Sequence, residues 1–562
     1  MRSPDAEAFL WLENGEREGA RITFAGLDRR ARAIAALVMD QGLAGKPVLL
    51  AYPSGLDLVA ALFGCFYAGA VAVVAPPPGA QSLDRPRLLV VESAAAAVLT
   101  VASRVEKARE ETPAGTRVLA TDGLGESGDL APPPEVDPHS LAMLQYTSGS
   151  TAAPRGVMLT HANLLANLRA QARATRIEAG ETAVSWLPFH HDMGLFGFGF
   201  FPIYAGLRSI LMPPVAFLKR PARWLEVISR YGGALSAGPC FAYDLCARRS
   251  TAEQRAALDL SSWRVAVCGG EMIRPEVLER FAETFAPARF RRSALAPAYG
   301  LAEATLLAAS VEAEQGFTVR AVDGPTLAEG RASPPVNPDR ARRLVACGRP
   351  WPGHEAIVVD PVRRTSAPDG EVGEIWLRSA SVSQGYWNRP DESAEIFGAR
   401  LEGGEPSGGW LRTGDLGFLC DDGLVVTGRR KDMIIVRGAN FDPLDLELAA
   451  EASHPALGAG GAAAFSFDDA AGEKVVLACE VERAAMKSLD ADAVVASVAQ
   501  AMSLDFGLTL HDLVLLKAGA LPRTTSGKVQ RHVCRARYLA GNLPGLAEGR
   551  HPELGRWRAA RP

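Results

Sequence analysis

The chain has 562 residues, of which 48% are hydrophobic and 22% charged, with a formal net charge of −4. That length exceeds what one hydrophobic core supports, so two or more domains are expected, and the lack of a basic block argues against nucleic acid as a partner. Eight cysteines without C-x-x-C spacing fit a reduced, cytoplasmic chain with no structural zinc, and the start, "MRSPDAEAFLWLENG", has no apolar h-region and does not read as a signal peptide.

In chain order, the first two-thirds alternates short β-branched runs with helical patterns, which predicts an α/β fold on parallel or mixed sheets with crossover helices. "KPVLLAYP" reads as a strand, residues 56–67 as a helix and "AVAVVA" as a second strand. The apolar run 58–75 is long enough for a membrane span. Gly64, Gly69 and the "APPPG" that follows favour instead a buried helix turning into a buried strand, so no span is expected. "RVLATDG", "LAMLQYTSG" and "WRVAVCGGE" are further strands, each ending at Gly or Asp ahead of a helix.

"LAMLQYTSG" runs into Thr147, Ser148, Gly149, Ser150 and Thr151. Their hydroxyls and unhindered N–H groups suit a pyrophosphate, and a helix begins soon after with Thr160 as its N-cap. The segment is not a Walker loop: counted from Gly149, Pro154 stands where the second glycine belongs, and the lysine is missing. Taken alone it is also compatible with an ordinary Ser/Gly-rich turn.

After residue 371 the pattern becomes hairpin-like, and the charged stretch "TGRRKD" separates two apolar strands. The expected division is a large N-terminal domain, residues 1–428, a junction at 429–431, and a small α+β domain, 432–562.

Five motifs in order, "YTSGSTAAPRG", "PAYGLAEATL", "WLRTGDLG", "VTGRRKD" and "LPRTTSGKVQR", resemble those of the adenylate-forming superfamily. With "SWLPFHHDMGLFG" and "FLKRPARWLEVISRY", the chain most resembles the fatty acyl-AMP ligases. The resemblance implies ATP and Mg²⁺ as cofactors and a mobile small domain. Lys528 becomes the missing cation, reaching the reacting carboxylate and α-phosphate, while Arg155 keeps a charge at the end of the phosphate loop. Glu303 is implied to hold Mg²⁺ on the nucleotide, Tyr299 and the adjoining Gly300 to meet adenine, Asp415 to accept from the ribose hydroxyls, and Arg429 to contact ribose or phosphate. Lys431 falls on the hinge, and His191 lies near the path of the acyl carboxylate.

The run "GLFGFGFFPIYAG" interleaves Phe196, Phe198, Phe200 and Phe201 with Gly197 and Gly199, which suits either a channel for an alkyl chain or an ordinary core helix. The resemblance favours the channel, with Cys240 of "AGPCFAY" beside it, where no aspartate stands to hold an amino acid's amine. The extra stretch near 315–344 resembles one that in fatty acyl-AMP ligases accompanies poor use of free coenzyme A. The expected activity is therefore conversion of a medium- or long-chain fatty acid to its acyl-adenylate. Transfer to the phosphopantetheine thiol of an acyl carrier protein, or of a polyketide- or peptide-synthetase carrier domain, would follow. An acyl-CoA synthetase or a silent adenylate-binding protein is the alternative.

Overall fold

The computed structural model describes residues 3–76, 85–124, 135–147, 154–403, 409–436, 439–469, 472–524, 527–543, 545, 548–551 and 554–559. Among these, the large part of the chain is built on two sheets. A six-stranded sheet joins Val118–Ala120, Ala97–Thr100, Pro47–Leu50, Val71–Val74 and Leu141–Thr147 in parallel, with Arg155–Thr160 antiparallel at one edge. A nine-stranded sheet carries the parallel run Thr182–Ser185, Gly233–Gly238, Val265–Gly269 and Leu295–Gly300 at its centre.

The parallel strands read as near-continuous apolar runs because helices cover both faces. The run 58–75 folds as helix Asp57–Tyr67 followed by the fully buried strand Val71–Val74, as its glycines predict. No described helix is long and apolar enough to cross a membrane. Helix His161–Thr175 starts on a capping box: the Thr160 side chain accepts from Asn163 N–H and the Asn163 side chain accepts from Thr160 N–H. Such a cap is worth about 1 kcal/mol. The Asn163 amide also donates to the carbonyls of Ala380 and Val382 at 2.8 and 2.9 Å, tying this helix to a distant loop.

A third, antiparallel sheet follows, His354–Val359, Gly373–Ser379, Leu411–Cys420 and Gly423–Arg429. The extra stretch forms a hairpin of Val319–Asp323 against Ala341–Val345, with the short helix Gly324–Ala328 between them. Beyond Arg429 the chain turns and builds separate cores, one around Leu446, Leu477, Val498 and Leu513, the other around Phe465, Leu516 and Cys534. Their sheet is five-stranded, flanked by helices Pro443–Ser453, Ala491–Phe506 and Arg531–Leu539.

Candidate active site

The phosphate-loop residues Ser148, Gly149, Ser150 and Thr151 lie outside the described residues. Their flanks do not: Thr147 and Arg155 pair directly across antiparallel strands, which fixes both ends of the loop side by side. The Arg155 guanidinium sits 5.2 Å from the centre of the Tyr386 ring and pairs with Glu392 at 2.7 Å. Tyr386 in turn donates its hydroxyl to Glu303 Oε1 at 2.8 Å. The loop's cation and the predicted magnesium ligand are thus joined through one tyrosine, which the motifs did not point to.

Glu303 stands on a sharp connection between Leu295–Gly300 and Leu307–Ser310. Thr305 has φ +71° and ψ −65°, and Leu306 N–H donates to Ala304 O at 2.9 Å, a γ-turn of the strained, positive-φ kind. For a β-branched residue that backbone costs on the order of 1–3 kcal/mol. Three contacts hold it. Thr305 Oγ1 donates to Ser381 O at 2.7 Å, Ser383 N–H donates to Glu303 O at 2.8 Å, and Asn167 grips both sides of the turn. The Asn167 amide donates to Ala304 O and Leu307 O at 3.1 and 2.9 Å, and its oxygen accepts from Leu307 N–H at 3.2 Å. Gly300 cannot carry a side chain, since a Cβ there would lie 1.7 Å from Leu306 O. Burial pushes the Glu303 carboxyl above its usual range, opposed by the Tyr386 hydroxyl. Among the described residues no cluster of three His, Cys, Asp or Glu side chains builds a metal site. A single carboxylate at this turn fits an ion carried in on a nucleotide's phosphates rather than one caged by protein.

Asp415 is buried, with Tyr299 donating its hydroxyl to Oδ2 and Arg429 its Nε to Oδ1, both at 2.7 Å. Each oxygen keeps a second lone pair, so the carboxylate is fixed in place and still able to accept from a vicinal diol. Burial, and secondarily the Asp415 charge, drive the Tyr299 hydroxyl well above its ordinary pKa, so it remains a donor. Lys431 is exposed in the turn after Arg429. His191 immediately precedes the short helix Asp192–Gly194, its ring centre 4.6 Å from that of His190.

The small domain brings Lys528 to this place. The described residues around it are tied together: Thr524 N–H donates to Lys528 O, Lys528 N–H to Thr524 Oγ1 and Gly527 N–H to Thr524 O. Gly527 packs on Phe241 of the large domain, whose ring lies 2.8 Å from where a Gly527 Cβ would be. The Lys528 ammonium comes to rest over Gly270, 3.4 Å from the position a Cβ would take there. It faces two carboxylates, Asp192 and Glu271, both raised by burial and both partly restored by the lysine's charge. Glu271 is held by Phe241 N–H at 2.7 Å. Asp192 lies within the motif "SWLPFHHDMGLFG"; Glu271 was not singled out, and a charged residue inside "CGGEMI", straight after a buried strand, was the available signal.

Gly270 and Asp192 lie at the mouth of a mostly apolar cavity, walled by strands 233–238, 265–269 and 295–300 on one side and helix His161–Thr175 on the other. Of the predicted pocket residues Phe198 lines it, and Phe196, Gly199, Phe200 and Cys240 do not. Around the helical turns Leu195–Phe200 and Phe201–Ala205, Gly197, Phe198 and Phe201 face the cavity. Phe196 and Phe200, four residues apart, pack together at 5.7 Å, and Phe200 meets Phe63 and Phe66. Gly199 backs onto Leu195 and Phe189. Cys240 keeps company with Cys268, which alternation along its strand turns to the face opposite the lining Val267 and Gly269.

Residues 1–387 match the model of the AMP-binding enzyme family, and residues 431–548 that of the AMP domain of Disco-interacting protein 2-like proteins. The medium-chain-fatty-acid–[acyl-carrier-protein] ligase JamA of Moorena producens is 42% identical, covering 96% of this chain and 93% of its own. The long-chain-fatty-acid–AMP ligase FadD23 of Mycobacterium tuberculosis is 36% identical over 95% of this chain and 94% of its own. Among solved structures, one from studies of fatty acyl-adenylate ligases of E. coli and L. pneumophila superposes with a TM-score of 0.85 at 33% identity, covering 96% and 95% of the two chains. The L. pneumophila fatty acyl-adenylate ligase in complex with acyl adenylate and pyrophosphate superposes at 0.75, with 36% identity and coverage of 96% and 94%. With Tyr299 and Gly300 lining the cavity whose Gly270 lies under Lys528, and with matches over nearly its whole length, the chain belongs to the AMP-binding enzyme family.

Proposed function

We propose that this protein is a fatty acyl-AMP ligase. The observation that carries the reading is the Lys528 ammonium, delivered by the small domain to the mouth of a long, mostly apolar cavity. A fatty acid lying in that cavity presents its carboxylate to the α-phosphorus of ATP. The new C–O–P linkage forms as the bond to pyrophosphate breaks, giving acyl-adenylate and pyrophosphate. No enzyme nucleophile is needed, because the carboxylate is one. Lys528 offsets the charge of two anions forced together, and fixing both reactants in line supplies much of the rate. Asp415 holds the ribose, the Tyr299 ring lies against adenine, and Arg429 reaches ribose or phosphate. Arg155 and the loop 147–151 take the phosphates, and His191 positions the incoming acid. Glu303 would hold the nucleotide's Mg²⁺, which when bound spreads the phosphate charge.

Transfer follows when a thiol attacks the acyl carbon and AMP leaves. We assign that thiol to the phosphopantetheine of an acyl carrier protein, with the small domain swinging about Lys431. Two things support this acceptor: the activity in the name of the 42%-identical relative, and the hairpin of the extra stretch, whose Arg342 pairs with Asp445 of the small domain and ties the two parts together. The test offers enzyme, ATP and a fatty acid either coenzyme A or a holo carrier protein. Thioester on the carrier, with acyl-CoA slower by about tenfold or more, is expected; rapid acyl-CoA formation would make the enzyme an acyl-CoA synthetase instead.

A further inference from the structure

The cavity has a graded depth. Along strand Val265–Gly269 the lining residues are Val265, Val267 and Gly269, one face of the strand, and the neighbouring strand opposes Val267 with Ala296 and Gly269 with Ala298. At these alternate positions side chains shrink toward the mouth at Gly270 and Gly300, where Met193, Tyr299 and Leu306 also line the cavity and the carboxylate must meet the nucleotide. From Gly269 down to Val265 is four residue steps, about 13 Å. The opposite wall gives the same depth. Asn167 is bonded at the level of Leu307, which pairs with Gly300 at the mouth, and Thr175 lines the far end eight residues on, about 12 Å away.

What lies past the floor is charged. Arg264, next below Val265, pairs with Glu181 at 2.8 Å and Glu314 at 3.6 Å and donates to Arg176 O at 3.3 Å; Arg176 itself pairs with Glu312. An alkyl chain pushed through would have to break these partly buried pairs and gain no apolar contact in return.

We infer that the cavity is a length gauge that selects medium-chain acids, with Leu235, Val265 and Thr175 as its floor in front of the Arg264 ion pairs. This rests on the fatty-acid-adenylating function proposed above. With C–C bonds of about 1.5 Å at tetrahedral angles an extended chain advances about 1.3 Å per carbon, so the depth takes about ten carbons and the favoured acids have about eight to twelve. Ala237, midway down on strand Gly233–Gly238 opposite Val267, and Gly197 on the other wall set the usable depth. A Cβ at Gly197 would meet nothing nearer than Leu306 Cδ2 at 4.0 Å, so Gly197→Ala intrudes into the cavity without a clash.

The experiment is acid-dependent pyrophosphate exchange with saturated acids from hexanoate to octadecanoate. The expected profile rises by about fourfold in kcat/KM per methylene, peaks between octanoate and dodecanoate, and falls about tenfold or more by hexadecanoate. Ala237→Leu should move the peak shorter by about three carbons, the number added. Gly197→Ala, the milder change, should lower decanoate relative to hexanoate. A peak at hexadecanoate or longer, or a profile unmoved in both variants, overturns the gauge while leaving fatty acid adenylation standing. Exchange with no acid of any length would instead bring down the function on which the gauge rests.

Discussion

Replacing Asn167 with alanine should cripple the enzyme from a position that touches no substrate. Its side chain is wholly buried and makes four hydrogen bonds: two donated to Ala304 O and Leu307 O, one accepted from Leu307 N–H, and one accepted from Gln171 Nε2 at 3.1 Å. Truncation orphans at least the Leu307 N–H and the Gln171 amide in a dry interior. At about 1–3 kcal/mol for each, the large domain should lose about 3–4 kcal/mol, allowing for some relaxation. The second consequence is catalytic. Without the clamp the turn at Thr305 can relax its positive φ, and Glu303, two residues away, leaves its place. A displacement of about 1 Å is worth on the order of 10²-fold in rate. Urea unfolding followed by tryptophan fluorescence measures the first effect, and pyrophosphate exchange at saturating ATP and acid the second. A variant that unfolds at lower urea but exchanges at the wild-type rate would show that the turn does not need the clamp. One with unchanged stability would refute the hydrogen-bond reasoning altogether.

Tyr386→Phe removes the donor that favours ionised Glu303. Burial already raises that carboxyl, so losing the bond raises it further, and the acid limb of the pH profile of pyrophosphate exchange should move to higher pH; an unmoved limb would dissociate Glu303 from activity. Arg342→Ala removes the partner of Asp445, which is only 11% exposed, so stability should fall by about 1–3 kcal/mol. Limited proteolysis in the 429–434 turn should also speed up as the small domain is released, and an unchanged cleavage rate would deny the hairpin that role.

The sequence marks residues whose role is local and chemical, and it is weaker on residues that act through distant partners. Tyr299, Asp415 and Arg429 are marked by three separate motifs, and the structure joins them in one hydrogen-bonded cluster. Helix and strand order were legible because glycines and β-branched runs punctuate a parallel fold clearly, as at residues 57–74. Asn167 and Tyr386 were not, since each looks like an ordinary helix or loop residue until the chain closes and brings residues more than a hundred positions apart, or nearly so, into contact. The phenylalanines divide for a geometric reason. A run of alternating Phe and Gly suggests one lined channel, but helical winding sends Phe196 and Phe200 into the core and leaves Gly197, Phe198 and Phe201 on the cavity. The Asp192–Glu271 pair opposite Lys528 is assembled from two loops and the small domain, and no spacing in the sequence encodes that meeting.

The measurement that goes to the centre of the account is fatty-acid-dependent pyrophosphate exchange by Lys528→Ala, run beside binding of a non-hydrolysable ATP analogue. A fall of about 10²–10³ in exchange rate with analogue binding preserved is predicted for a cation that acts as the anhydride forms. Exchange at the wild-type rate would contradict it and leave the ammonium over Gly270 without a catalytic purpose.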